Sequence, residues 1–426
     1  MSVSNLAPWH KSMKRPLGHI VRQIARFPIS GSMLRRYAPH PTVDHEQTIP
    51  AAEIAIVSLI PFLGDLIFCL PLVDALRSAH PKARLTFICS AAPPSQILFN
   101  YPGIDEVLVC PDTRKSLLAL MPIVRAYHQL FTVARFARSV RIKHSFDVAL
   151  ITRGGPDPFL GAHAAWLMGI PRIYGYGAAL EPERSQMHCY PDPLMTAMVK
   201  EKRNLHESMR ALEVAEIAGL LPAGIWSEQQ TIQGLRVLAE RQDFASIAQR
   251  VGLKSDERYA VISPGAGADY RKWPAANFRE IAMRLAKQTD LTVLITGTPA
   301  ETNLVAGIAD GLGSRVRHVA GKLNLLELIG LLNNASLFIG NDSGTGHIAG
   351  GLGIPTISLN AYPMDGEVDH HQSPARNRPV GPSVTVLQPR TLLPPCVNEC
   401  RAAEAHCLAQ IDVEQVWTAS LQALAR

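Results

Sequence analysis

The sequence predicts an α/β protein built from two similar units, each a parallel sheet with helices on both faces. Three observations support this prediction. From residue 53 onward, short apolar runs alternate with helical stretches. Many of these runs end in a turn rich in Gly or Pro. The alternation then restarts near residue 258, and 426 residues are enough for two domains with full cores.

The first unit is predicted from a series of strands and helices that begins at residue 53. In chain order these are the strand EIAIVSLI, a helix to about His80, the strands ARLTFICS and EVLVC, a long helix over roughly 115–140, the strand FDVALIT and a helix from about Leu160 to Met168. Residues 181–256 are predicted to be mostly helical and to connect the two units.

The second unit repeats the pattern. Its predicted elements are the strand and turn RYAVISPGAG, the helix NFREIAMRLAKQ, the strand and turn LTVLITGTP, the helix ETNLVAGIADGL, the strand RVRHVA, the helix LLELIGLLNNA, the strand ASLFIGND, a helix, the strand PTISL and a last helix over roughly Val413 to Leu424. We therefore predict a first domain over 51–250 and a second over 251–426, with a cleft between them.

Residues 1–50 differ from the rest in composition. They carry seven Lys and Arg residues against two acidic ones, and HIVRQIARF could form a short amphipathic helix. This basic extension fits either an anchor at a membrane surface or a solvated, partly docked segment. The opening residues lack the apolar stretch of a signal peptide, and the longest apolar run is broken by Pro61, Asp65 and Pro71. We expect a cytoplasmic protein, peripheral on a membrane surface if the extension is an anchor.

Net charge and cysteine content limit the kinds of ligand and the cellular compartment that suit this protein. A net charge of +6 suits an acidic ligand or an anionic surface, and it is too small to indicate nucleic acid. Seven scattered cysteines favour a reducing compartment over a disulfide framework. Cys396, Cys400 and Cys407 with His406 could ligate zinc or iron, but the spacing is not that of a standard finger. A local disulfide or free thiols are the alternatives, and we assign no metal and no cofactor.

The most informative turn is GNDSGTGHIAGGLGIPTI, residues 340–357, which follows a predicted strand. A helix starting near Gly344 would aim free backbone amides at the carboxyl edge of the sheet, where a phosphate or diphosphate binds well. Ser343 and Thr345 could add hydroxyl donors, and Gly346 would allow close approach. Asp342 fits a sugar hydroxyl or a helix cap. The alternative is a capped helix with small residues for tight packing.

Three other turns carry charged groups. Lys272, in SPGAGADYRKWP, is either a phosphate partner or a surface lysine. Asp65, in IPFLGDLIFCLP, is either a general base at the cleft or a helix cap that contributes about 1 kcal/mol. Glu301, in TGTPAETNLV, is either a ribose partner or an ordinary glutamate at a helix start. His370 and His371 could bind a metal, although adjacent histidines usually point apart.

Taken together, the four turns resemble glycosyltransferase family 9, the ADP-heptose:lipopolysaccharide heptosyltransferases. The resemblance rests on LGDLIFCLPLVDALRSAHPKARL, SPGAGADYRKWPAANF and GNDSGTGHIAGGLGIPTI, and it extends over roughly residues 53–420. It implies a GT-B fold, two Rossmann-like domains whose parallel sheets face a central cleft, and an inverting, metal-independent reaction. The loop NAYPMDGEVDHHQSPARNRPVGP departs from the family. Because this loop should border the site, the departure leaves the donor sugar open.

The resemblance also implies roles for individual residues. Asp65 matches the proposed catalytic base. The remaining matches are in the donor site: Lys272 near the phosphates, Glu301 at the nucleoside end, Asp342 near the sugar, Ser343, Gly344, Thr345 and Gly346 around the diphosphate, and His347 in either a binding or a structural role.

The predicted function is transfer of a heptose or similar sugar from an ADP-sugar to a lipopolysaccharide core or related glycolipid. Two alternatives stay open. The chain could glycosylate a protein or another surface polysaccharide, or it could bind sugar nucleotides without catalysis.

Overall fold

A computed structural model describes most of the chain. The described residues are 52–90, 95–111, 122–152, 160–177, 180, 192–200, 206–254, 256–400 and 402–425. The predicted basic extension over 1–50, the start of the long helix near 115 and Cys189 lie outside these residues. Among the helices described, none is long and apolar enough to cross a membrane.

The first half contains a parallel sheet of six strands in the order β3-β2-β1-β4-β5-β6. The strands are β1 (Glu53–Ser58), β2 (Arg84–Ser90), β3 (Glu106–Cys110), β4 (Val148–Ile151), β5 (Ile173–Tyr176) and β6 (Ala197–Val199). The helices are α1 (Leu63–Ala79), α2 (Ser95–Asn100), α3 (Pro122–Lys143), α4 (Gly161–Leu167) and α5 (Glu207–Ile217). The central strand β1 is buried along nearly its whole length because helices cover both faces of the sheet.

The second half repeats this order in a second parallel sheet, β12-β11-β10-β7-β8-β9. Its strands are β7 (Tyr259–Ser263), β8 (Thr292–Ile295), β9 (Val316–His318), β10 (Leu337–Asn341), β11 (Thr356–Leu359) and β12 (Val384–Leu387). Its helices are α8 (Ala275–Gln288), α9 (Thr302–Ala309), α10 (Leu325–Asn333), α11 (Gly344–Leu352), α12 (Pro374–Asn377) and α13 (Val413–Leu424). The predicted doubly wound α/β class is confirmed.

Strand order reverses beside the first strand of each sheet. β1 pairs with both β2 and β4, and β7 pairs with both β8 and β10. In doubly wound sheets, ligands bind outside the carboxyl ends of the strands at this switch point. The turns carrying Asp65, Lys272 and Asp342 follow β1, β7 and β10, so each lies at such an edge.

Two helices lie between the sheets in the chain, α6 (Gln233–Glu240) and α7 (Phe244–Val251). Both pack against α10, and α6 also packs against α11 and α1. The Ile232 amide donates to the Gly351 carbonyl at 2.7 Å. One buried apolar cluster therefore continues from α1 through α6 and α7 into the second half. The predicted domain boundary at residue 250 stays a prediction.

Most predicted elements are present, and the last helix has the predicted ends. Three strands were missed: β5, β6 and β12. β6 lies within the connection over 181–256 that was predicted to be mostly helical, and Ala197–Val199 pairs there with β5 at the sheet edge. Length alone does not explain the three misses, because β4, β8, β9 and β11 are equally short and were predicted. Pairing with a neighbouring strand is what defines β5, β6 and β12.

Candidate active site

The turns at the facing sheet edges surround one crevice, which consists of two adjoining cavities of about 540 and 630 Å³. The first cavity contains Asp65 and Asp342, and the second contains Glu301. Leu63 and Ser343 line both, so the two cavities meet where α1 and α11 begin.

Asp65 comes from the first half of the chain. Helix α1 begins at Leu63 after an extended Phe62, which places Asp65 in the first helical turn and in the first cavity. A carboxylate there is stabilised by the helix dipole whatever its further role. One turn on, burial is the main cause that raises the pKa of Cys69 to about 11, and the charge of Asp65 adds to it. The Cys69 thiol is therefore protonated at neutral pH and a poor nucleophile.

The turn after β7 is fixed by Trp273. Its indole Nε1 donates to the Ile411 carbonyl at 2.8 Å, and its backbone amide donates to Asn341 Oδ1 at 2.9 Å. The two cations beside it diverge. Arg271 lines the first cavity and pairs with Asp342, whereas the Lys272 ammonium contacts Asp269 Oδ1 at 2.7 Å.

Asp342 is a buried carboxylate with three polar neighbours. Arg271 donates to its Oδ2, Asn360 Nδ2 donates to the same oxygen at 3.1 Å, and His347 Nε2 lies 3.5 Å from Oδ1. Burial is the main cause that lowers the pKa of His347 to about 4, and Asp342 opposes it. The imidazole is therefore neutral at pH 7, and Arg271 supplies the charge that balances Asp342.

Helix α11 begins at Gly344, as predicted, with Ser343 as an extended N-cap. The first amides of a helix have no partner within it, so this end of α11 offers donors to the crevice. Ser343 Oγ is buried with no hydrogen-bond partner in the described part of the chain. A Cβ on Gly344 would lie 2.5 Å from Leu63 Cδ2, so a glycine lets the two helix starts meet.

Glu301 lies in the second cavity, beyond β8. Its carboxylate accepts from the Thr298 amide at 2.8 Å and from the Thr298 hydroxyl at 2.9 Å, which forms a capping box. Glu301 thus caps the short helix that follows Thr298 and also lines the cavity, which is compatible with both interpretations of this residue. Apolar side chains line the same space: Val319, Leu323, Leu325 and Leu328.

The two halves touch beside the crevice. The Phe68 ring packs edge-on against His347 with ring centroids 4.7 Å apart, and His206 Nε2 lies 2.8 Å from the Arg378 carbonyl. A carbonyl can only accept, so Nε2 of His206 carries the proton. Glu207 also pairs with Arg376 across the halves.

The structure brings most of the predicted site residues to this crevice: Asp65, Glu301, Asp342, Ser343, Gly344, Thr345 and His347 line it. Gly346 is buried in α11 against Phe338, and Lys272 is outside the described lining of both cavities. The roles assigned to all nine residues stay predictions.

The sequence analysis missed one lining residue altogether, Glu207. Five others lie in the loop that was expected to border the site, although the analysis gave them no individual donor-site role: Asn360, Tyr362, His371, Gln372 and Asn377. Asn360 follows β11 directly, so its position at a strand's carboxyl end was a signal that could have revealed it. The others lie on loops or at helix ends distant in sequence. His370 and His371 have ring centroids 4.3 Å apart, so the expectation that they point apart is wrong.

The chain is thus a two-lobed α/β protein with a polar crevice between the carboxyl edges of its sheets. The sequence profile of glycosyltransferase family 9 (heptosyltransferase) matches residues 133–405. "Lipopolysaccharide heptosyltransferase 3" of Escherichia coli K12 is 36% identical over 308 residues, which cover 70% of this chain and 79% of the relative. The chain belongs to glycosyltransferase family 9 and is a glycosyltransferase.

Solved structures agree on the fold. A family 9 glycosyltransferase from Veillonella parvula has a TM-score of 0.65 at 19% identity, covering 91% of this chain and 99% of its own. The E. coli heptosyltransferase WaaC with ADP has a TM-score of 0.62 at 18% identity, covering 87% and 99%. The predictions of the family, of the GT-B fold and of a glycosyltransferase are confirmed.

Proposed function

We propose that the protein transfers a heptose from ADP-heptose to the core of lipopolysaccharide, with inversion at the sugar. The observation that carries the proposal is the single crevice in which Asp65 of the first half faces the α11 start of the second. The lipopolysaccharide heptosyltransferase of E. coli supports the acceptor class. The neighbouring structure with bound ADP supports the nucleotide.

The two cavities suit the two ends of such a donor. The cavity with Glu301 has a carboxylate that can accept from ribose hydroxyls and an apolar wall for a base. The cavity with Asp65 and Asp342 is polar, which suits a sugar rich in hydroxyls. The diphosphate would then lie at their junction, where Ser343 is.

The junction can stabilise a departing diphosphate. It combines the amides at the start of α11, the hydroxyl of Thr345 and the Ser343 hydroxyl, which has no hydrogen-bond partner among the described residues. Donors and dipoles aimed at developing charge are typically the largest contribution to such a reaction. In the proposed role, Lys272 leaves Asp269 and pairs with the phosphates once the donor binds.

Inversion needs a base on the acceptor side of the sugar, opposite the leaving group. Asp65 is the proposed base because it lies in the first turn of α1, across the crevice from Asp342 and Ser343. It would take the proton of the acceptor hydroxyl as the new glycosidic bond forms and the bond to the diphosphate breaks. Asp342, held by Arg271 and Asn360, would accept from a donor sugar hydroxyl.

The proposed acceptor is a glycolipid, so the enzyme would work at the cytoplasmic face of the inner membrane. The basic residues of the extension over 1–50 would suit contact with anionic headgroups there.

A donor and acceptor panel tests the proposal. The purified protein is incubated with ADP-heptose, ADP-glucose, UDP-glucose and GDP-mannose, with and without truncated lipopolysaccharide core, and nucleotide release is followed. We expect release from ADP-heptose that depends on the core acceptor. Binding of ADP without turnover on any acceptor would instead favour a non-catalytic binding protein.

A further inference from the structure

A second cluster of reactive side chains lies outside the crevice, between β12 and α13. Cys396, Cys400, His406 and Cys407 each present one ligand atom, and these four atoms all lie within 4.8 Å of one another. The described parts of the surrounding segment, 388–400 and 402–407, contain no helix or regular strand. Backbone hydrogen bonding within a helix or sheet therefore does not explain why these four ligand atoms lie so close together.

The distances match the edges of a metal-centred tetrahedron. Zinc bonds of about 2.3 Å to sulfur and about 2.05 Å to nitrogen give edges of about 3.8 Å between sulfurs and about 3.6 Å between sulfur and nitrogen. The Cys396 and Cys400 sulfurs are 3.9 Å apart. His406 Nδ1 lies 3.6 Å from the Cys396 sulfur and 3.4 Å from that of Cys407.

A disulfide does not describe this arrangement. The two sulfurs of a disulfide would be about 2.0 Å apart, whereas the sulfurs of Cys396 and Cys400 are 3.9 Å apart. Among the described residues, Cys396, Cys400 and Cys407 form no disulfide. The Leu393 amide donates to the Cys407 sulfur at 3.4 Å, a contact typical of thiolate ligands of metals. Cys400 is 2% exposed and Cys407 is not exposed, whereas Cys396 and His406 are half-buried, so one side of the cluster is shielded from solvent.

We propose that Cys396, Cys400, His406 and Cys407 bind one Zn²⁺ in a closed, structural site. Three thiolates and one imidazole fill a tetrahedron and leave no open position for water, which makes the site structural rather than catalytic. On binding, each thiol releases its proton to solvent, and no electron is transferred. The sequence analysis assigned no metal to this cluster because its spacing departs from that of a standard finger.

The site would support the crevice indirectly. Cys407 leads into Leu408–Gln410 and Ile411, whose carbonyl accepts from the Trp273 indole beside Arg271 and Lys272. On the other side, Gln372 of the crevice lining donates to Glu399, one residue before Cys400. Zinc would therefore fix two loops that border the donor site.

Metal analysis of the full-length protein tests the proposal. The protein is purified with reductant and without chelators, and zinc and iron are measured by plasma mass spectrometry. We expect about one zinc per chain. Cys400→Ser and Cys407→Ser should each retain less than about a tenth of it. Cys89→Ala, which removes a buried thiol of β2, is the matched control and should keep the zinc.

Two further measurements test the site even if the serine variants fold poorly. His406→Ala replaces the half-buried ligand and should bind zinc at least about tenfold more weakly in a competition with a chelating dye. Wild-type protein reconstituted with Co²⁺ should show the intense visible bands of a tetrahedral thiolate site. Wild type that takes up no zinc, that holds iron instead, or that shows a disulfide within the cluster by intact mass would overturn the proposal. So would zinc retained in full by both serine variants.

Discussion

The two halves of the molecule have the same strand order and contribute unequally to the crevice. The first half offers Asp65, in the first turn of α1. The second offers the start of α11 with the buried Ser343 hydroxyl, the Arg271–Asp342 pair and Glu301. The same architecture thus provides a proposed base on one side and a proposed donor-binding surface on the other. The fold fixes where the turns lie, and the turn residues decide what each half does.

The largest effect is expected from the first half. Asp65→Asn should lower kcat by about 10²- to 10⁴-fold, the usual contribution of a general base. The affinity for ADP should change less than about twofold because the donor contacts lie in the other half. Turnover is measured by nucleotide release and affinity by calorimetry.

Glu414→Gln is the matched control for Asp65, since Glu414 also lies in the first turn of a helix, α13, away from the crevice. It should keep full turnover. If Asp65→Asn kept more than half of the wild-type kcat, Asp65 would not be the base and would serve the helix start alone.

A smaller effect is expected from the cation of the second half. Lys272→Met should weaken ADP binding by about 10- to 100-fold, the loss of one charge-assisted hydrogen bond. Lys287→Met, at an exposed end of α8, is the control and should bind normally. Normal ADP affinity in Lys272→Met would mean that the ammonium remains with Asp269 and that the phosphates rely on α11.

Glu301→Ala should raise the KM for the donor by about tenfold, with kcat within about threefold, because the nucleoside end is remote from the reacting bond. It also breaks the capping box with Thr298. Gln415→Ala breaks the equivalent capping box of α13 and isolates the loss of stability. Equal KM values for the two variants would leave Glu301 with its capping role only.

The smallest effect concerns pH and the contact between the halves. Burial lowers the pKa of His347 to about 4 and that of His206 to about 3. Between pH 4 and 6.5 the unfolded chain therefore binds more protons at these histidines than the folded protein does. Stability should be fully present above about pH 6.5 and fall with acidification, by on the order of 1 kcal/mol per pH unit for each histidine.

His347→Gln should reduce the loss of unfolding free energy per pH unit by up to the contribution of one histidine. The free energy is measured by urea unfolding at pH 7, 6 and 5. His318→Gln removes an exposed histidine of β9 and serves as the control. An unchanged slope in His347→Gln would mean that His347 becomes protonated in the folded state, paired with Asp342.

Local sequence patterns predicted the long, well-marked elements and the turns between them. β10, the start of α11 at Gly344 and the last helix follow from apolar runs, glycines and caps that act over a few residues. The strands β5, β6 and β12 were not recognised from their local patterns, and each is defined by pairing with a neighbouring strand. Hydrogen bonding to neighbouring strands of the sheet therefore determines where these three strands form.

The sequence by itself determined the doubly wound class, the Gly-rich turn after β10 and the position of Asp65 at a helix start, because each depends on residues close together in the chain. Tertiary structure decided which acidic partner each of the neighbouring cations Arg271 and Lys272 contacts. Arg271 reaches Asp342, 71 positions away, while Lys272 turns to Asp269. Tertiary structure also places Glu207 and Gln372 in the lining of the same cavity. It brings the ligand atoms of three cysteines and one histidine within 4.8 Å of one another. The contact of Arg271 with Asp342 and the position of Glu207 in the crevice depend on how distant segments pack, which spacing along the chain does not encode.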